Sequence, residues 1–123
     1  MATVELTAES FAETVEQNDI VLIDFWAEWC GPCRRFGPVF EASSEQHGDI
    51  VFAKVDTEAQ QELAGAFQIQ SIPTLMAFRD QVIVYAQPGA LPEAMLEDLI
   101  GKVRELDMVA IKAEVAEAAE AGS

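Results

Sequence analysis

Ile20-Val21-Leu22-Ile23-Asp24-Phe25-Trp26 constrains the fold of this chain more than any other stretch. A β-strand sends successive side chains to opposite faces, so a strand with one wet face alternates polar and apolar residues. Here only Asp24 interrupts a run of apolar residues. Both faces of the strand must be covered, which calls for a sheet with helices on its two sides. The rest of the chain supplies them. Thr7 caps a helix expected over about 8–18, carrying Phe11 and Val15. Arg34 to Gln46 repeats Phe36, Val39, Phe40 and Ser43 at helical spacing, with Pro38 expected to kink the helix. Ile50 to Val55 reads as a second buried strand, and Thr57-Glu58 as the start of a helix that Gly65 ends. Thr74 to Phe78 and Val82 to Ala86 flank Arg79-Asp80-Gln81 as an antiparallel hairpin. A last helix opens at Leu91-Pro92-Glu93, with Leu96, Leu99, Ile100 and Val103 on one face. With a short strand at Val4 to Leu6, the order β-α-β-α-β-α-β-β-α predicts an α/β fold: a central mixed β-sheet flanked by helices on both faces.

Two units are expected. Residues 1–106 form the folded domain, and 107–123 an acidic Ala/Glu-rich extension, marginally helical or frayed. Met108, Ile111 and Val115 give that extension only a thin apolar stripe. The chain holds 22 acidic against 7 basic residues, a formal charge of −15. Phosphates would repel it, so no nucleic-acid or membrane partner is expected; the acidity reads as solubility. Apolar residues make up 50%, too many for a disordered acidic tail. The N-terminus has no basic segment and the apolar runs are strand-length, which leads to a cytoplasmic expectation.

Against that background the two cysteines stand out. Cys30 and Cys33 are the chain's only thiols, and with a single His47 they cannot make a four-ligand structural zinc site, so no metal is expected. They fall where the buried strand hands over to a helix, the setting of a dithiol redox pair. Cysteines three apart at a helix start can join with little backbone movement. The free N–H groups and dipole of the helix end favour a thiolate on the first. Pro32 has a φ already suited to the first turn, and Gly31 leaves the approach to Cys30 open. Cys30 is thus expected to be the exposed nucleophile that attacks a partner's disulfide, and Cys33 the resolving thiol one turn inside.

Trp29-Cys30-Gly31-Pro32-Cys33 resembles the active-site signature of the bacterial-type thioredoxin family, and Ile72-Pro73-Thr74 resembles that family's cis-proline loop. The likeness covers roughly residues 3 to 105 and implies the thioredoxin fold. It implies a protein-disulfide reductase, a thiol–disulfide oxidoreductase and electron carrier with no bound cofactor, expected to be a monomer. Recharging would come from a flavin-dependent thioredoxin reductase drawing on NADPH. Oxidised clients would include ribonucleotide reductase, peroxiredoxins and methionine sulfoxide reductases. Residue by residue, the resemblance makes Asp24 the group that takes the proton of Cys33, and Lys54 the lysine beside that acid. It makes Pro73 cis, with the backbone of Ile72 free to pair with an extended substrate segment. Trp29, Gly31, Pro32, Ile72 and Gly89 would line a shallow apolar groove around Cys30, with Trp26 as packing support beneath. His47 reads as a helix C-terminal residue beside its cap.

The chain departs from the family at Asp80-Gln81, where Asn-Gly is frequent, and at Pro88 before Gly89. Arg34-Arg35 put positive charge beside the site; these features bear on partner choice and not on the dithiol. Two other readings stand at this point. One is an oxidant or isomerase of the same fold, although those commonly carry His or Tyr between the cysteines. The other is a non-catalytic binding module docking through the 107–123 extension.

Overall fold

The seven-residue apolar run becomes the middle strand of a five-stranded sheet in a computed structural model that describes residues 2–121. The elements in chain order are β1 (Thr3–Glu5), α1 (Ala8–Gln17), β2 (Ile20–Trp26), α2 (Gly31–Gln46), β3 (Val51–Asp56), α3 (Gln61–Ala66), β4 (Thr74–Arg79), β5 (Val82–Pro88), α4 (Glu93–Glu105) and α5 (Met108–Ala121). The strands lie in the order β1-β3-β2-β4-β5. β1, β3 and β2 run parallel, while β4 pairs antiparallel with both β2 and β5, so the sheet is mixed as expected.

Strand alternation then sorts the core. Ile20 and Leu22 pack on one face against Phe36 and Phe40 of α2 and Leu96, Ile100 and Val103 of α4. Val21, Ile23 and Phe25 pack on the other against Val15 of α1 and Leu63 of α3. Asp24 shares the parity of Leu22 and therefore points to the α2 face. It is fully buried. Register places Lys54 of β3 directly beside it.

Three local features differ from the expectation or refine it. The helix after β3 begins at Gln61 and not at Thr57-Glu58. Asp56 Oδ1 accepts the N–H of Glu58 at 2.9 Å, and Thr57 Oγ1 donates to the Trp26 carbonyl at 3.0 Å. These bonds hold the stretch as a turn, the local competition that short polar side chains offer to a helix. His47 is the C-cap of α2, and it also reaches across to α4: its Nε2 lies 2.7 Å from Glu97 Oε1. The hairpin closes as a two-residue turn with positive φ at both Asp80 (51°) and Gln81 (69°), the geometry that Asn-Gly fits best. A left-handed conformation costs a non-glycine residue roughly 1–2 kcal/mol. Asp tolerates it better than Gln, so Gln81→Gly should raise stability by about 1 kcal/mol in denaturant unfolding. An unchanged midpoint would mean that the turn relaxes without strain.

α5 starts with Asp107 Oδ1 accepting the N–H of Ala110 at 3.1 Å, and Lys112 reaches Asp80 at 3.3 Å. Met108 is buried and Ile111 half-buried, while Val115 is exposed. Ile111, Val115 and Ala118 of this helix line a cavity with Val82, Ile83 and Val84 of β5. No helix of the described residues is long and apolar enough to cross a membrane.

Candidate active site

Where β2 ends, Ala27-Glu28-Trp29 lead into Cys30, which is the N-cap of α2. Its sulfur does what an N-cap side chain oxygen usually does: Sγ accepts the N–H of Cys33 at 3.2 Å. Pro32 sits in the first helical turn, where its missing N–H leaves nothing unsatisfied. Cys30 and Cys33 are joined as a disulfide with Cα atoms 5.2 Å apart, well within the usual range. In the reduced pair the same N–H and the helix dipole favour negative charge on Cys30.

The greater exposure expected of Cys30 is absent from this oxidised state. The two cysteines are 4% and 5% exposed, so both residues are buried. They differ in what they face. Cys30 Sγ lies 3.7 Å from the Ile72 carbonyl oxygen, on the side of the cis-proline loop. Cys33 lines a cleft of about 300 Å³ together with Trp26, Arg34, Gly37, Glu41 and Lys54.

The Ile72–Pro73 peptide is cis. Gly89 donates its N–H to the Pro73 carbonyl at 2.8 Å, with φ at +115°, a conformation that suits glycine. Ile72 packs with Trp26 against the cluster of Ala27, Cys30 and Cys33. Gly31, Pro32 and Gly89 are exposed, and Trp29 is 66% exposed with its indole N–H donating to Glu58 Oε1 at 2.7 Å. The sequence signalled every one of these positions except Glu58, whose link to Trp29 spans two separate loops.

Asp24 stands apart electrostatically. Neither carboxylate oxygen has a hydrogen-bond partner among the described residues. Burial pushes its pKa up from 3.8 to about 7, and the positive charge of Lys54 restrains the rise. The Lys54 ammonium in turn sits 4.9 Å from the centroid of the Trp26 ring. Among the described residues no group of three or more His, Cys, Asp or Glu side chains is arranged to hold a metal ion.

The thioredoxin family model matches residues 2–102. The chain belongs to the thioredoxin family. A Streptomyces coelicolor protein named as a thioredoxin 2 is 65% identical over 116 residues, covering 94% of this chain and 87% of that one. A bifunctional thioredoxin reductase/thioredoxin of Mycobacterium leprae is 42% identical over 108 residues, which cover 85% of this chain and 24% of that longer protein. In three dimensions the chain is similar to a mutant thioredoxin from Halobacterium salinarum, with a TM-score of 0.77, 38% identity, and coverage of 85% of this chain and 91% of that one. The mixed sheet with helices on both faces is the thioredoxin fold. The chain is a thiol–disulfide oxidoreductase of the protein-disulfide reductase class, with Cys30 and Cys33 as its redox pair.

Proposed function

We propose that Cys30 is the attacking sulfur, Cys33 the resolving one and Asp24 the proton acceptor in a two-step reduction of client disulfides. The observation that carries this reading is the Cys30 sulfur at the head of α2, held by the N–H of Cys33 one turn inside. The Cys30 thiolate attacks one client sulfur; a Cys30–client bond forms, the client disulfide breaks, and one client thiolate leaves. Asp24 then takes the proton of the Cys33 thiol through water. The Cys33 thiolate attacks Cys30 Sγ, the mixed bond breaks and the second client thiolate leaves. Two electrons have passed to the client, and the Cys30–Cys33 disulfide remains. A carboxyl with a pKa of about 7 is poised to accept and return a proton near neutral pH.

Trp29, Gly31, Pro32, Ile72 and Gly89 form the docking surface, and the Ile72 backbone pairs with an extended client segment. Lys54 tunes Asp24. Electrons reach the disulfide from a thioredoxin reductase, a reading supported by the relative in which reductase and thioredoxin are one chain. Its clients are cytoplasmic enzymes that finish turnover oxidised: ribonucleotide reductase, peroxiredoxins and methionine sulfoxide reductases. Residues 1–106 are the reductase domain and 107–123 an extension to it.

NADPH oxidation coupled through a thioredoxin reductase to a protein disulfide tests the assignment. At pH 7, Asp24→Asn should slow resolution by ~10²-fold, the usual size of a general-base contribution. The gap should narrow toward pH 9, where a thiol of ordinary pKa near ~8.5 ionises unaided. Equal rates at pH 7 would remove Asp24 from the mechanism. An idle wild-type protein with a reducible disulfide would point to another electron donor.

A further inference from the structure

We propose that Trp26 is a positioning residue: its ring face holds the Lys54 ammonium at the wall of the cleft beside Asp24, away from the carboxylates that compete for it. Its functional weight rests on the reading of Asp24 as proton acceptor.

The chain's other lysines behave as lysines do in so acidic a protein. Lys102 pairs with Asp98 at 3.1 Å, and Lys112 with Asp80 at 3.3 Å. Lys54 makes no such ion pair among the described residues, although acids surround it. Glu28, from the loop after β2, and Glu41 of α2 line the same cleft, together with Cys33 and the competing cation Arg34. Glu5 of β1 and Asp56 of β3 line a second, smaller cavity that Lys54 also borders. A lysine has a flexible four-carbon stem and can reach many partners. This one instead places its ammonium over the Trp26 ring, within the distance at which the ring's negative face attracts a cation. Gly37 of α2 also borders the ammonium: a Cβ there would sit 3.7 Å from Nζ, in ordinary van der Waals contact.

The arrangement has a consequence for Asp24. Its carboxylate has no hydrogen bond to hold it, and Lys54 is the charge that offsets the cost of its burial. Trp26 lies two residues along the same strand and on the same face as Asp24, while Lys54 is the register partner of Asp24 on β3. The three side chains therefore form one unit across two strands. Without the ring, the ammonium is free to move to Glu28, Glu41, Glu5 or Asp56, and its hold on Asp24 weakens.

Carboxyl NMR titration of the full-length oxidised protein tests this, because in the disulfide neither cysteine titrates alongside Asp24. Wild type is compared with Trp26→Leu, Trp26→Phe, Lys54→Met and the Trp26→Leu/Lys54→Met pair. Trp26→Leu should move the Asp24 midpoint up by about half a pH unit, the pull of one partly screened charge at several ångströms. Trp26→Phe keeps an aromatic face and should move it less; it carries the same test if the leucine variant does not fold. Lys54→Met should move the midpoint at least as far as Trp26→Leu, and adding Trp26→Leu to Lys54→Met should then move it no further. An equal shift from Trp26→Leu with and without Lys54 would make the ring mere packing and overturn the proposal, as would no shift at all. The titration is read without turnover. A failure of Asp24 as proton acceptor shows separately, in the rates of Asp24→Asn.

Discussion

Cys33→Ser should abolish turnover while leaving Cys30 able to capture a client. The chain holds only these two cysteines, so once Cys30 has formed a mixed disulfide no other sulfur of the protein can resolve it. A serine hydroxyl at the head of α2 is a far weaker nucleophile toward sulfur and forms no stable bond in place of the disulfide. NADPH consumption in the presence of a thioredoxin reductase should drop to background. A protein carrying one client per chain should accumulate, released by dithiothreitol and seen as a mass shift. Cys30→Ser should lose both turnover and capture. Persistent turnover in Cys33→Ser would mean that clients resolve the intermediate themselves.

Asp24→Asn should stabilise the fold, and by an amount that depends on pH. The folded pKa of Asp24 is raised from 3.8 to about 7. Below pH 3.8 the group is protonated in both states, and its full contribution to stability is present. As pH rises from there, the unfolded chain gives up the proton while the folded one keeps it, so stability falls until pH passes about 7. A displacement of that size corresponds to roughly 4 kcal/mol. Asn, neutral at every pH, removes the dependence. Urea unfolding of the oxidised proteins should show Asp24→Asn more stable by several kcal/mol at about pH 8 and nearly equal to wild type at about pH 4. A pH-independent difference would trace the effect to packing instead. The residue assigned to proton transfer is thus also the one whose ionisation weakens the fold, a conflict that functional sites commonly hold.

Much of this was legible in the sequence because it is written locally. The apolar run from Ile20 to Trp26 calls for a two-sided sheet, and a single acid within it marks a carboxyl deprived of water. Cys30 to Cys33 at the strand-to-helix junction marks the redox pair. What stayed out of reach depends on parts of the chain far apart. The turn at Thr57-Glu58 is held in part by the Trp26 carbonyl, 31 residues away, and the Glu58 side chain is taken by Trp29, 29 residues away. His47 was readable as a helix end, but its bond to Glu97 spans 50 residues. Trp26 reads as packing and does pack against the cysteine cluster, but an aromatic at a strand end carries no mark of the cation above it. The burial of both cysteines in the disulfide is set by the folded surroundings, which a list of residues does not specify.

The position of β2 has one more consequence, and it concerns how the chain is made. The central strand needs β3 on one side and β4 on the other, and both are encoded after it. At about 5–20 residues per second, the roughly 50 residues between the end of β2 and the end of β4 take a ribosome several seconds to add. Until β4 is complete, Val21, Leu22, Ile23 and Phe25 belong to a strand with at least one open edge, and before β3 is made they have neither neighbour. The segment best hidden in the finished protein is the one a nascent chain leaves exposed, and there a holding chaperone would find its grip.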